Sequence, residues 1–397
     1  MLFHRRGGVV VKPTGTPFGQ EVARERAVRG WTLRELAVKS GLAYSRIHRI
    51  ETDPNRDVTF EDALRLGKAF GVPSAWLLRG GELRNRILAA ARASDRDDAE
   101  HAVSRVLHVL ELAEQLETHS AEPVLALRGV EFTRSADESP AAWGRCTAEQ
   151  VRVSAGIQGG PIEDIAAFIE DNHWAFVVVD DLPETVDGLA VRDSNSGRAL
   201  VAAGTALGWE RQRFTLAHEL GHLLAGEMKI ETVPTGATRQ VTEVMANEFA
   251  RNLLVPMADV LAHPRSLERA WTVADAAKLA WEYRVSPQVL GIQLERAGVV
   301  DRSFIQRLAG ATAEAWSVLG GWSPARRALA AGAGQRRIPP MLADRALEAW
   351  KMRHIATATH ARLLGIETSE AEELLAKAGM QRTSRREPSH AAMALAD

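Results

Sequence analysis

Cysteine is nearly missing from this 397-residue chain, with Cys146 the only one. One thiol cannot form an intrachain disulfide, and it excludes a cysteine-rich zinc module, so the composition suits a reducing cytosol and a cytoplasmic location is expected. Tyrosine is almost as scarce, limited to Tyr44 and Tyr283. No uncharged run of 18 or more apolar residues occurs, and Arg5 and Arg6 lead into no apolar segment. A transmembrane or secretory role is therefore not expected. A large excess of one charge sign is also absent: the formal net charge is −2, so the chain as a whole has no basic bias toward nucleic acid.

The charge that is present is unevenly placed. Residues 1–80 hold 14 Lys or Arg against 8 Asp or Glu, and the remainder is correspondingly acidic. A hydrophobic content of 46% describes a globular protein, and the length calls for two to four domains. The fold class expected is multidomain and mainly α: an N-terminal helix-turn-helix bundle, an α+β domain bearing the motif described below, and a helical C-terminal region.

Residues 1–17 read as a flexible leader, and short punctuated helices follow over 18–80. The first covers about Gln20 to Arg29. Thr32 followed by Glu35 is a capping box that opens a second helix, ending near Ser40-Gly41. A third covers Ala43 to Glu51, Thr59 caps a fourth ending at Phe70-Gly71, and a short turn follows around Ala75–Leu78. Two short helices joined by a Gly-containing turn form a helix-turn-helix pattern. The stretch WTLRELAVKSGLAYSRIHRIE resembles the phage-repressor (XRE/Cro-like) DNA-binding family. On that resemblance Tyr44, Ser45, Arg46 and His48 face the major groove of a double-stranded DNA operator, while Lys39 and Arg49 contact phosphate. The competing reading is a small helical bundle for protein contact, its charges a solvated face.

Residues 81–155 read as a helical connector: a polar run to about 100, a helix from His101 to His119, and weak signals over 120–155. The texture changes at Pro161. A helix over Ile162–Asp171 leads to a strand at Trp174–Val179, with two more strands at Gly188–Arg192 and Ala199–Ala203 around an Asn195-Ser196-Gly197 turn. An edge strand of such a sheet is suited to holding an extended substrate by strand addition.

The most informative stretch is RFTLAHELGHLL, residues 213–224. His218 and His222 are four apart on a helix, so both imidazoles project from one face toward one point. Neutral imidazoles at this spacing are the usual protein half of a catalytic zinc site, with Glu219 beside them as candidate general base. Leu216, Leu220, Leu223 and Leu224 give the same helix a buried stripe, and Gly221 lets another backbone or a substrate come close. Catalytic zinc generally takes three protein ligands and a water, so a third ligand is required. Glu243, 21 residues beyond His222, and Glu248 lie on a following helix that ends near Pro256. They differ in direction by about 140°, so only one can point at the ion, and rotation alone does not choose between them.

RFTLAHELGHLL followed by E-x-x-A-N-x-F-A-x-x-L-L-x-P resembles the ImmA/IrrE family of zinc metallopeptidases, whose members cleave DNA-binding repressors and in several cases carry an N-terminal repressor-like domain. The resemblance implies that His218, His222 and Glu243 bind Zn2+, that Glu219 is the catalytic base, and that Asn247 is a polar residue near the site. It extends through KLAWEYRVSPQVLGIQLERAGVV, covering roughly 160–300 within an expected metallopeptidase domain of 156–300. The hydrogen-bond donor for a developing oxyanion is not identified by it. Tyr283, His263, Arg211, Arg213 and backbone amides are the candidates.

Residues 301–380 are Ala-rich and helical, with Arg326-Arg327 and Arg336-Arg337 read as solvated faces, and 381–397 read as a disordered tail. Two functions follow. One is a DNA-binding, zinc-dependent regulatory endopeptidase acting on a repressor or antitoxin-like protein. The other is a transcriptional regulator whose zinc fold serves structure or sensing without hydrolysis. Glu219 favours the first, since structural zinc has no need of it. Helix-turn-helix proteins commonly bind symmetric sites, so a homodimer is expected, and no membrane partner is.

Overall fold

The computed structural model describes residues 17–53, 58–72, 74–78, 87–91, 96–117, 132, 137–193, 196–226, 237–268, 270–308 and 311–383. The expected leader up to residue 16, the loop expected through Val233–Gly236 and the tail from 384 lie outside them. The chain separates into two compact units: residues 1–85 with 112–124 and 340–397, and residues 86–111 with 125–339. The architecture is mainly helical, with one small mixed sheet in the second unit.

The first unit opens with α1 (Pro17–Val28), α2 (Leu33–Ser40), α3 (Tyr44–Thr52), α4 (Phe60–Phe70) and α5 (Ser74–Leu78). Local chemistry sets these bounds. The Thr32 hydroxyl accepts from the Glu35 amide while the Glu35 carboxylate accepts from the Thr32 amide, and Thr59 and Asp62 repeat the arrangement for α4. Gly41 ends α2 at φ 68°, a left-handed cap that glycine adopts without a Cβ clash. Phe18, Val22, Leu36, Ile47, Ile50, Leu66 and Leu77 form the core of this part. Arg26 clamps the half-buried edge by donating from Nε and Nη2 to both oxygens of Glu51, at 2.7 Å each.

In the second unit, β1 (Ile87–Ala91) precedes α6 (Arg96–Glu117), whose last turns from Leu112 belong to the first unit. Then come α7 (Pro140–Ser154), α8 (Ile165–Asp171), β2 (Phe176–Asp180), β3 (Gly188–Asp193) and β4 (Ala199–Gly204). The sheet order is β1-β3-β4-β2, with β2 parallel to β4 and the other pairs antiparallel. Three strands fall where alternation and turn signals place them. Strand β1 lies in the stretch read as a polar connector, and α7 in the stretch of weak signals.

Helices α9 (Trp209–Leu224) and α10 (Ala237–Leu254) are the central pair. α9 packs against β3, β4 and α10, while α7 lies along α10. These crossings are close because glycines make them so. A Cβ on Gly221 would stand 3.1 Å from the Ala246 Cα of α10, and one on Gly144 of α7 would stand 2.6 Å from the Met245 carbonyl oxygen. The backbone that Gly221 admits is thus that of α10. Trp143, Leu216, Leu220, Phe249, Leu253 and Leu290 belong to the shared core.

The rest of the unit is α11 (Met257–Ala262), α12 (Pro264–Glu268), α13 (Val273–Glu282), α14 (Pro287–Arg296), α15 (Arg302–Leu308), α16 (Ala313–Gly320) and α17 (Ser323–Ala333). The arginines read here as solvated are mostly anchored. Arg326 donates to Glu210 at 2.8 Å, Arg336 to the buried Asp180 at 2.7 Å, and Arg337 to Glu170 at 2.6 Å. Arg337 also exchanges backbone hydrogen bonds with Val179, extending the outer edge of β2.

Beyond Pro339 the chain returns to the first unit with α18 (Pro340–Lys351), α19 (Thr357–Leu364) and α20 (Thr368–Lys377). The C-terminal stretch read as one helical region is therefore divided between the units at Pro340. α19 packs on α4, and the Arg362 guanidinium donates to the buried Glu25 at 3.1 Å.

Candidate functional site

His218, His222 and Glu243 come together at the α9–α10 crossing. The two Nε2 atoms are 2.9 Å apart, and each is 3.7 Å from a different oxygen of the Glu243 carboxylate. The three donors all lie within 4.8 Å of one another, the one such His, Cys, Asp or Glu cluster among the described residues. Three donors at tetrahedral corners about 2.1 Å from one ion would be about 3.4 Å apart, so this set fits a single small divalent cation. Two imidazoles and a carboxylate are the donor set zinc prefers at a site with an open position. His218 is fully buried, His222 is 7% exposed and the Glu243 side chain 30% exposed, so the cluster opens on the Glu243 side.

Of the two α10 carboxylates, Glu243 is the one that lies with the histidines. Glu248, on its other face, is buried and ion-paired with Arg251 of its own helix and Arg296 of α14. Two guanidiniums hold it away from the His pair, leaving Glu243 as the available carboxylate. Asn247 is half-buried, and Phe249 and Ala250 lie in the core.

Glu219 is fully buried and sits beneath the first residue of β3. A Cβ on Gly188 would stand 3.2 Å from the Glu219 Cγ and 2.4 Å from the Thr215 Cγ2, so only glycine allows the strand to lie this close to α9. Sequence reasoning did not single out Gly188; its place at the head of a strand was the only available signal.

Four side chains considered as oxyanion donors have other partners. The Tyr283 hydroxyl donates to Asp259 at 2.8 Å, and burial together with that carboxylate raises its pKa well above the ordinary phenol value. The Arg213 guanidinium is spread over the carbonyls of Ile162, Glu163 and Arg284, and burial first, then the neighbouring Arg284, lowers its pKa to about 10. Arg211 donates to Asp187 at 2.5 Å. The His263 ring accepts from the Arg265 amide and stacks on Trp271 at 4.7 Å. Arg213 therefore positions α9 by tying its second turn to the segment before α8 and to the end of α13.

In the first unit, Tyr44, Ser45, His48 and Arg49 are exposed on α3, with Tyr44 and His48 stacked at 6.3 Å. Arg46 stands apart from them. Its guanidinium is held by the buried Asp62 of α4, with Nε to Oδ1 at 3.1 Å, so it ties α3 to α4. The Lys39 ammonium lies 4.6 Å from the centre of the Trp31 ring and 3.3 Å from Glu367 of α20.

Comparison with known families agrees with this division. Residues 184–295 match the family model for an IrrE N-terminal-like peptidase domain, which spans the cluster, and residues 22–77 match the helix-turn-helix family model. No curated protein matches the chain. The protein thus combines a helix-turn-helix domain with an IrrE-like peptidase domain that holds a candidate metal site. Among the described residues no helix is long and apolar enough to cross a membrane.

Proposed function

We propose that this chain is a DNA-binding, zinc-dependent regulatory endopeptidase that cuts a repressor or antitoxin-like protein and so alters transcription. The observation that carries this reading is the joining of two imidazoles and a carboxylate within 4.8 Å, directly beside a buried glutamate. His218, His222 and Glu243 would hold Zn2+. When bound there, zinc supplies Lewis-acid chemistry, acidifying water and polarising a carbonyl. Glu219 accepts the proton of the attacking water and delivers it to the leaving amine, a role for which burial beside the ligands positions its carboxylate. The Gly188 end of β3 lies against Glu219, and Asn247 would be a polar neighbour that does not titrate.

The first unit gives the enzyme an address on DNA. Tyr44, Ser45 and His48, exposed on α3, would read base edges, and Arg49 would meet phosphate. Lys39 serves DNA only on leaving Glu367 and Trp31, and Arg46 only on leaving Asp62. A symmetric operator would bind a homodimer.

The test compares wild-type protein with Glu219→Gln, both loaded with zinc, against repressors encoded near the gene. Cleavage by wild type, reduced by about 10²–10⁴-fold in the variant, is the expected result, with zinc content and operator binding unchanged. Operator binding without cleavage of any repressor by the zinc-loaded wild type would instead assign the site to structure or sensing.

A further inference from the structure

Strand β1 occupies one particular edge of the sheet. β3 is flanked by β4 on one side, and its other edge is taken by Ile87–Ala91, paired antiparallel from Ile87 opposite Asp193 to Ala91 opposite Leu189. The residue after this last pair along the edge is Gly188, the glycine that lies against Glu219. An extended polypeptide added to β3 therefore runs alongside the general base at one end. β1 already lies there as a five-residue strand, and β3 is the element it packs against.

Two further observations bear on what β1 does. His218 and Glu219 have no exposed surface in the folded chain. A protein substrate that adds to this edge of β3 must take the place of β1. A short edge strand held by one ladder is among the easiest elements to release, because it forfeits few hydrogen bonds and pairs on one side only. Its sequence, Ile-Leu-Ala-Ala-Ala, places three consecutive alanines at the end nearest Glu219.

We infer that Ile87–Ala91 is a tethered pseudosubstrate: it fills the strand-addition edge of β3 in the resting enzyme, and a true substrate is an extended, alanine-rich or similarly small-residue segment that takes its place. This rests on the peptidase reading for its biological sense, but strand exchange at the edge is measurable without hydrolysis. Main-chain hydrogen bonds supply affinity at such an edge, and side-chain size at alternate positions supplies selection. Activation is then release of β1.

The experiment uses the full chain carrying Glu219→Gln, so that bound peptide is not consumed, with and without Ala89→Pro and Ala90→Pro. Proline removes the amide donors and breaks the ladder. A fluorescent synthetic peptide of residues 84–93 is titrated into each protein and followed by anisotropy. At least tenfold tighter binding to the proline variant is expected. Equal affinity for both, or no binding to either, overturns the inference. In a parallel arm the proline changes are placed in the Glu219 background and assayed on repressor with zinc. Tighter peptide binding without any hydrolysis retains the pseudosubstrate edge and rejects the peptidase reading, whereas hydrolysis with equal peptide affinities does the reverse. If the proline variant fails to fold by circular dichroism, a chain carrying Cys146→Ser, Ala90→Cys and Ala190→Cys decides, since those alanines are directly opposed. Its oxidised form should bind the peptide at least tenfold more weakly than its reduced form, and equal binding overturns the inference.

Discussion

At the scale of single residues, the two carboxylates of α10 show how position on a helix separates function from structure. Glu243 faces the histidines, whereas Glu248 faces two arginines. Glu243→Gln is expected to abolish retention of zinc on dialysis while leaving the melting of the metal-free protein almost unchanged. Glu248→Gln is expected to do the opposite. It leaves Arg251 with a buried, weakened partner, which costs about 3 kcal/mol at the lower end for a broken buried pair because Arg296 is partly solvated. One zinc per chain should remain. Metal analysis beside urea unfolding of both apo-proteins checks the pair, and zinc loss in Glu248→Gln alone would reverse the assignment. His218 and His222 could be picked out in the sequence because their four-residue spacing fixes a common face, and Glu219 because it directly follows the first of them. The third ligand was not legible from rotation; the resemblance favoured Glu243, and the partner that engages Glu248 on α14 is 48 residues further on. Arg46, expected among the groove-facing residues, is paired with Asp62 on the next helix, a contact with no local signal in the sequence. Arg46→Ala should therefore lower the stability of the first unit, measured by thermal melting. Arg49→Ala should leave stability alone, weaken DNA binding and reduce the salt slope by about 1.

At the scale of elements, the site depends on how closely three helices approach. Gly144 on α7 faces the Met245 carbonyl and the Phe249 amide of α10, with a Cβ position 2.6 and 2.8 Å from them. Backbone atoms cannot swing aside as a side chain can, so Gly144→Ala must move α7 away or displace α10 itself. Overpacking of this kind costs about 1–3 kcal/mol, and a displaced α10 carries Glu243 with it. The expected outcome is a lower unfolding midpoint together with weaker zinc binding, read by competition with a chromophoric chelator. An unchanged zinc affinity would mean that α10 is held from its other side. The capping boxes at Thr32 and Thr59 and the left-handed glycines after α2 and α4 made the N-terminal helices readable almost to the residue, since local hydrogen bonds determine them. α7 carried comparable signals, with Ser139 capping its first turn and Pro140 at its first position. They went unread because the residues before them show no periodicity. β1 had less to offer: Ile-Leu-Ala-Ala-Ala is too short for helix and strand periods to differ, and its strand character comes from β3, about a hundred residues away.

At the scale of the whole molecule, the chain returns to its beginning: α18 to α20 belong to the same unit as the helix-turn-helix residues. Such a contact has no local signature. A Cβ on Gly71, at φ 72°, would stand 2.4 Å from the Ala358 carbonyl oxygen, so the turn after α4 and the start of α19 meet backbone to backbone. His360 lies on α19, 5% exposed, with its Nδ1 lacking a hydrogen-bond partner, and burial holds its pKa below the ordinary histidine value. The imidazole is thus neutral when folded, while in the unfolded chain it takes up a proton near pH 6.5. Below that pH the unfolded state binds more protons, so this histidine contributes nothing above about pH 6.5 and destabilises the fold progressively as pH falls toward its depressed folded value. The first unit is therefore expected to lose stability between about pH 7 and 5.5, and His360→Leu should flatten that part of the profile. Hydrogen exchange at the amides of α4, followed at both pH values in the full chain, reports on this unit rather than on the peptidase unit, where the lowered pKa of His101 produces its own loss. If α4 exchanges as slowly at pH 5.5 as at pH 7.5 after correction for intrinsic rates, then α19 does not support the DNA-binding helices. If it opens faster in wild type but not in His360→Leu, the C-terminal helices set the stability of the domain that begins the chain.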